Sequence, residues 1–233
     1  MAKSQQNEKS GKDKFLESFS GFLYTNRVIL VTILALLIAG LITLAVVVSV
    51  RQNRTEEAAA MSEKLQDHYT EWAELSEEEG DKKEELKQII LDTSEEIIET
   101  FPNSFAAQRG LLVAGEIMFS EESWDKSAEY FMRLAEGYPE SYLAPVALAA
   151  AAAVYENAGM TDEALGAAET IVKSYADDSV EAPHAFFTVG RLREKIGDIP
   201  GALEVYRDLV GKFPESSWTK LAQDRIIVLE PEE

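Results

Sequence analysis

Residues 101–140 read FPNSFAAQRGLLVAGEIMFSEESWDKSAEYFMRLAEGYPE, a segment that begins and ends with an aromatic residue followed by proline. Tripeptides of this kind recur along the chain at intervals of 37, 37 and 38 residues. The four copies are Phe101-Pro102-Asn103, Tyr138-Pro139-Glu140, Tyr175-Ala176-Asp177 and Phe213-Pro214-Glu215. A fixed period in this range indicates an array of structural repeats, in which each unit packs against its neighbours.

Each unit is predicted to contain two helices. A serine follows each tripeptide, and its hydroxyl can accept a hydrogen bond from a first-turn amide, which predicts a helix start. These serines are Ser104, Ser141, Ser179 and Ser216. The expected ends of the first helices are Glu121-Glu122, Ala158-Gly159 and Ile196-Gly197. The second helices are expected to begin near Ser123, Thr161 and Asp198, and proline stops them at the next tripeptide.

Bulky and small residues follow a fixed order within each unit. A bulky residue precedes a small one by four positions: Leu111 with Gly115, Leu148 with Ala152, and Phe186 with Gly190. A later small residue precedes an aromatic or an alanine: Ala128 with Phe131, Ala164 with Ala168, and Ala202 with Tyr206. Small residues fit where two helices cross closely, so leucine at Gly115 or Gly190 should overpack by about 1–3 kcal/mol.

This order of residues, closed by Pro102, Pro139 or Pro214, resembles the tetratricopeptide repeat. The resemblance implies an α-solenoid of helical hairpins. Together with the N-terminal transmembrane helix that the apolar run at residues 28–50 predicts, it gives an expected all-α fold. The expected segments are a diverged hairpin at 51–103, repeats at 104–140, 141–178 and 179–215, and a capping helix with an acidic tail at 216–233.

The repeat is longer than the usual period of about 34 residues. The residues between repeats, an aromatic residue, proline, an acidic residue or asparagine, and serine, resemble those of the bacterial-envelope branch of the family. That branch includes an outer-membrane assembly lipoprotein and the Tol–Pal-associated cell-division coordinator. A lipoprotein needs a cysteine, and this chain has none. A short tail, one membrane span and extracytoplasmic repeats are most similar to the ancillary subunit of the SecYEG translocon.

The predicted transmembrane helix is residues 28–50, which read VILVTILALLIAGLITLAVVVSV and carry no charge. At about 1.5 Å per residue this helix is about 35 Å long, enough to cross a hydrocarbon layer of roughly 30 Å. A buried core helix is the alternative, but few soluble cores contain so long an apolar run. The apolar region of a cleaved signal peptide is only about 7–15 residues long, so the run indicates an uncleaved signal anchor.

The orientation of the anchor follows from the basic residues beside it. Five precede the span: Lys3, Lys9, Lys12, Lys14 and Arg27. Only Arg51, Arg54 and Lys64 follow it closely, and the positive-inside rule therefore places residues 1–27 in the cytoplasm. The expected location is the inner membrane, with the repeats in the periplasm or another extracytoplasmic space.

Composition argues against several functions. Residues 51–233 carry 17 basic and 39 acidic groups, a net charge of −22, whereas nucleic-acid binding requires cations that neutralise phosphates. The chain has no cysteine and only two histidines, His68 and His184, and it contains no catalytic or phosphate-binding motif. We therefore expect no enzyme activity, no cofactor and no metal site.

Residues 55–79 are predicted to form a helix with one apolar stripe, which ends at Gly80 and Asp81. The stripe comprises Ala58, Met61, Leu65, His68, Trp72 and Leu75. Its spacing of three and four residues fits either a helix docked on its neighbour or a surface for homo-oligomerisation. A second helix is expected to follow as far as Thr100.

The resemblance also implies a partner-binding groove, because the first helix of each hairpin lines the concave face of such arrays. The corresponding positions are Arg109, Leu112, Glu116, Phe119, Val146, Ala149, Ala153, Glu156, His184, Phe187, Arg191 and Glu194. A mixed apolar and charged groove could hold a helix or an extended peptide. The expected partners are a translocon, periplasmic chaperones or envelope-assembly factors. The alternative is a structural or oligomerising module in cell division or envelope organisation.

Overall fold

The computed structural model describes residues 11–230, which contain ten α-helices and one short 3₁₀ turn and no strand. The helices are α1 Gly11–Thr25, α2 Arg27–Glu74, α3 Gly80–Thr100, α4 Phe105–Ser120, α5 Trp124–Gly137, α6 Leu143–Asn157, α7 Thr161–Ser174, α8 Ala182–Lys195, α9 Ile199–Lys212 and α10 Ser217–Leu229. The expected all-α solenoid is thereby confirmed. Lys3 and Lys9 of the predicted tail, and the acidic tail at residues 231–233, lie outside the described range.

The chain divides into two compact units, with the boundary between Thr55 and Glu56. The first unit contains α1 and the apolar part of α2. Among the described residues, α2 is the one helix that is long and apolar enough to cross a membrane, and none of its most apolar 18-residue window is buried. Length and composition alone carry this assignment, so the membrane span stays a prediction.

The second unit begins with the rest of α2, whose apolar stripe packs inside the unit. Ala58 and Leu65 are buried in one core cluster with Ile90 and Ile97 of α3 and Ala107 of α4. Met61 and Trp72 are half-buried against the same cluster. The docked-helix interpretation of residues 55–79 therefore agrees with the structure, and homo-oligomerisation through this stripe stays a prediction.

The break after α2 falls earlier than the sequence suggested. The helix ends at Glu74, a 3₁₀ turn covers Glu77–Glu79, and Gly80 already has helical dihedral angles at the start of α3. Ser76 closes the turn, because its amide and its hydroxyl both donate to Glu79 Oε2, at 3.4 Å and 3.1 Å. The prediction of a break at Gly80 and Asp81 was wrong because this side-chain turn ends the helix first.

Three hairpins follow, formed by α4 with α5, α6 with α7, and α8 with α9, and α10 packs on the last of them. Phe101, Tyr138, Tyr175 and Phe213 are the C-caps of the helices before each link. All four serines accept a backbone amide hydrogen bond at a helix start. Ser104 and Ser216 are the N-caps themselves, whereas Ser141 and Ser179 lie one or two residues earlier.

The second helices begin at or next to all three expected residues. Ser123 and Asp198 are N-caps, and the Asp198 carboxylate accepts the Gly201 amide at 3.0 Å. In α7, Thr161 is itself the first helical residue, and Met160 is the N-cap. In this position Thr161 has no capping role.

In two of the hairpins, a glycine of the first helix lies directly against an aromatic ring of the second. A Cβ built on Gly115 would lie 2.6 Å from the Phe131 ring, and one on Gly190 would overlap the Tyr206 ring. The middle hairpin has Ala152 opposite Ala168, both buried. The space that a ring fills beside glycine is thus shared there by two methyl groups, which is the packing expected from the order of bulky and small residues.

Candidate functional site

The twelve predicted groove residues lie on α4, α6 and α8, the first helices of the three hairpins. All twelve are half-buried or exposed, and none is fully buried. The structure brings most of them into contact with another helix of the same chain, as the following contacts show.

On α4, two of the predicted residues contact α2. Arg109 donates a hydrogen bond to Gln66, and Tyr69 donates one to Glu116. Burial raises the pKa of Glu116 despite the opposing effects of Tyr69 and Arg109, and burial together with Glu116 raises the pKa of Tyr69 to about 12. Leu112 packs against the main core cluster. The C-terminal part of α2 therefore covers this part of the concave face.

Phe119, at the end of α4, is the most exposed of the large apolar residues in the predicted groove. Its side chain is 38% exposed, and its ring meets Trp124 edge-to-face with centroids 5.3 Å apart. Trp124 is half-buried and fixes the orientation of the ring. An exposed aromatic that is held in place can contact a partner at little entropic cost.

An ion pair bridges α6 and α8. Arg191 donates to both oxygens of Glu156, at 2.7 Å and 2.6 Å, and this contact raises the pKa of Arg191. Ala149, Ala153, Glu156, His184 and Arg191 line a small cavity of about 60 Å³ beside it. The cavity is too small to hold more than one or two side-chain groups.

On α8, the remaining predicted residues contact α10. His184 stacks on Trp218 with ring centroids 4.5 Å apart, and Phe187 lies 5.4 Å from the same indole ring. Glu194 accepts hydrogen bonds from Arg225, at 3.1 Å to Nε, and from the Tyr206 hydroxyl at 2.6 Å. Arg225 first and Tyr206 second lower the pKa of Glu194. The capping helix thus covers the last part of the groove.

Sequence reasoning missed a hydrogen bond that joins consecutive units. The hydroxyl of Tyr138 donates to the carbonyl of Pro102, and that of Tyr175 donates to the carbonyl of Pro139 at 2.9 Å. The sequence pattern could have indicated these hydrogen bonds, because each tyrosine occupies the aromatic position one repeat after an aromatic-proline pair, Phe101-Pro102 or Tyr138-Pro139. The last unit has Phe213, which carries no hydroxyl, after Ala176, which replaces the proline.

A cavity lies between two links, and we call it the link groove. It has a volume of about 600 Å³ and is lined by residues 139–142, Pro145, Val146, Ser174, Tyr175 and residues 178–180. Val146 is the one member of the predicted groove that lines it. The links are the segments in which this repeat exceeds the usual length, so the extra residues form the walls of this groove.

The described part of the chain contains no group of three or more histidine, aspartate or glutamate side chains that could hold a metal ion. Nothing in the geometry of residues 11–230 indicates a catalytic set. The expectation that the chain is not an enzyme therefore stays a prediction.

Comparison with known proteins identifies one type of repeat. Residues 184–216, which comprise most of α8, all of α9 and the following link, match the tetratricopeptide repeat family model. The chain is also similar to a "TPR repeat-containing protein" of Treponema pallidum (strain Nichols), with 28% identity over 127 residues. That alignment covers 54% of this chain and 52% of the relative, so the chain spans about half the length of that protein. Repeats of this type indicate a module for protein–protein interaction.

Proposed function

We propose that this protein is a membrane-anchored interaction module of the bacterial envelope. Residues 28–50 cross the inner membrane, residues 1–27 lie in the cytoplasm, and the repeats lie in the periplasm. There the array acts as an accessory or chaperone-like factor at the secretion translocon or at the envelope-assembly machinery.

The observation that carries this proposal is the presence, on one chain, of an unburied apolar helix and an array of repeats. Leu34, Leu36, Leu37 and Leu41 of α2 are each more than half exposed. Exposure of so many large apolar side chains in water costs about 1.5–3 kcal/mol for each residue. A lipid bilayer removes this cost, whereas the second unit has a buried apolar core of its own.

The charge distribution supports the same arrangement. Residues 1–27 carry five basic and three acidic groups, whereas residues 51–233 carry a net charge of −22. Basic residues are retained on the cytoplasmic side of a span, and a strongly acidic domain stays soluble beside a membrane.

Photo-crosslinking in the native cells tests the proposal. A photoreactive amino acid is placed at Phe119 or at Tyr142, and at exposed Glu129 on α5 as the matched control. We expect crosslinks from the first two positions to a translocon subunit, an exported protein or a periplasmic chaperone, and none of these from position 129. Crosslinks only to cytoplasmic proteins would contradict both the orientation and the proposed role.

A further inference from the structure

The link groove is flanked by exposed apolar side chains at one repeat position. Phe105, Tyr142 and Val180 each follow the serine that begins their unit, and they are 45%, 70% and 89% exposed. The Phe105 and Tyr142 rings stack with centroids 5.9 Å apart. Large apolar residues that recur at one exposed position mark a surface for contact with another molecule.

The groove also has a consistent charge. Glu140 and Asp178 line it on opposite links, and both are exposed. None of the described residues that line the groove is a lysine or an arginine. In the described part of the chain, neither carboxylate is held by a basic side chain. The groove is therefore apolar at its sides and anionic at both links.

The floor of the groove is fixed by hydrogen bonds. The Tyr175 hydroxyl donates to the Pro139 carbonyl at 2.9 Å, and Ser141 and Ser179 each accept an amide at the start of a helix. Pro145 is buried and packs in the first turn of α6. A groove with a fixed floor loses little conformational entropy when a ligand enters.

We propose that the link groove binds an extended, cationic segment of a partner protein, and this proposal rests on the proposed function. A leucine or an aromatic residue of the segment lies against Tyr142 and Val180. A lysine or arginine on either side of it pairs with Glu140 and with Asp178. The volume of about 600 Å³ lies within the range of roughly 300–1,000 Å³ that is typical of ligand sites.

This site differs from the concave face on which partners were expected. There, Glu156 and Arg191 neutralise each other and α10 covers His184 and Phe187. A partner that entered the concave face would have to displace these contacts. In the link groove, the apolar side chains and the carboxylates are already exposed to solvent, so binding has no such cost.

The test uses the full chain in nanodiscs of neutral phosphatidylcholine, with empty nanodiscs as the blank. The probe is a fluorescent peptide of alternating lysine and leucine, about eight residues long, which spans about 27 Å when extended. Its two comparison peptides carry glutamate in place of lysine, or serine in place of leucine. We expect fluorescence anisotropy to show binding of the first peptide only, and added salt to weaken that binding.

The variants separate the two parts of the site. Glu140→Gln with Asp178→Asn should weaken binding about threefold to tenfold, as the loss of two exposed ion pairs implies. Tyr142→Ser with Val180→Ser should weaken it about tenfold, because anchor side chains dominate such contacts. Glu204→Gln with Asp208→Asn removes the same charge from exposed positions on α9 and should change the affinity by less than about twofold.

Three results would overturn the proposal. The first is equal affinity in all variants, or binding of the glutamate peptide. The second is loss of binding in Phe119→Ser alone, which would move the site to the concave face and leave the proposed function intact. The third is a change in particle mass when Tyr142 and Val180 are replaced, since a second copy of this chain would then be the occupant.

Discussion

Gly115 and Gly190 leave room for an aromatic ring of the facing helix, because neither has a side chain. Gly115→Ala places a Cβ 2.6 Å from the Phe131 ring, and the ring cannot move because it is buried. We expect a loss of about 1–3 kcal/mol in the free energy of unfolding. Thermal denaturation of the full chain in detergent, followed by circular dichroism, measures the change.

The control for this substitution is Gly166→Ala on α7. A Cβ there would meet nothing within 4 Å, and Gly166 is exposed. Alanine favours the helix over glycine, so this variant should gain up to about 1 kcal/mol. The double variant Gly115→Ala with Phe131→Ala should lose less than the sum of the two single variants, because the new methyl group no longer meets the ring. Additive losses would show that the close contact is not what destabilises the chain.

Glu122 occupies a backbone conformation that the other hairpins give to glycine. Its φ is +54°, and the equivalent turns contain Gly159 at +77° and Gly197 at +85°. Glutamate in this left-handed region is strained, so Glu122→Gly should stabilise the chain by about 0.5–1 kcal/mol. Gly159→Ala is the reverse test and should lose about 1 kcal/mol. If both substitutions are neutral in a melting experiment, the turn relaxes and stores no strain.

Glu116 predicts a dependence of stability on pH. Burial raises the pKa of its carboxyl above the usual value of 4.5. There is therefore a pH window, between the pKa of the unfolded chain and that of the folded chain, in which the folded chain retains a proton that the unfolded chain has already lost. The contribution of this group to stability therefore falls as the pH rises through the window, and the ionised form carries the full cost at neutral pH. Glu116→Gln should raise the melting temperature by about 1–2 °C near pH 7, with a smaller difference as the pH falls towards 4.5, the usual pKa of glutamate.

The Gln side chain can still accept the hydrogen bond from Tyr69, so the variant tests charge and not the contact. Glu204→Gln on the exposed surface of α9 is the control and should show no such trend. A pH-independent loss of stability in Glu116→Gln would contradict the prediction.

At the scale of the element, substitutions in the apolar stripe of α2 distinguish docking on α3 and α4 from self-association of the chain. Leu65 is 1% exposed, and Leu65→Ala should cost about 2–4 kcal/mol by leaving a cavity beside α3 and α4. If docking is the whole role of the stripe, light scattering will give the same mass for this variant and the parent chain. Dissociation of a dimer on Met61→Asp, a substitution at a half-buried position, would instead support the oligomerising alternative.

The ends of the helices in the three hairpins could be predicted from the sequence, because they depend on local chemistry, whereas the end of α2 could not. The aromatic C-caps, the serines and the turn glycines each act within a few residues of their own position. The contacts that cover the groove could not be predicted in the same way. Glu194 with Arg225 and Arg109 with Gln66 join different helices, and a helix turns by about 100° per residue, so register alone does not fix their neighbours.

At the scale of the whole molecule, the apolar part of α2 predicts where the chain resides. Deletion of residues 28–50 removes the segment whose side chains are exposed in the structure. We expect the shortened chain to appear in the soluble fraction after alkaline extraction, whereas the full chain stays in the membrane pellet. A soluble full chain would contradict the membrane anchor, and circular dichroism of the shortened chain checks that its repeats remain helical.

The neighbour-by-neighbour packing of the helices also bears on how the chain folds. Every helix from α3 to α10 makes its main contacts with the helix before or after it in sequence, and no strand in the described range pairs distant segments. Such low contact order permits fast folding from local nuclei. If the residues after the anchor cross the membrane in chain order, each hairpin can therefore fold as soon as it has emerged. The repeat period of 37 or 38 residues is then also the length of chain released for each folding step.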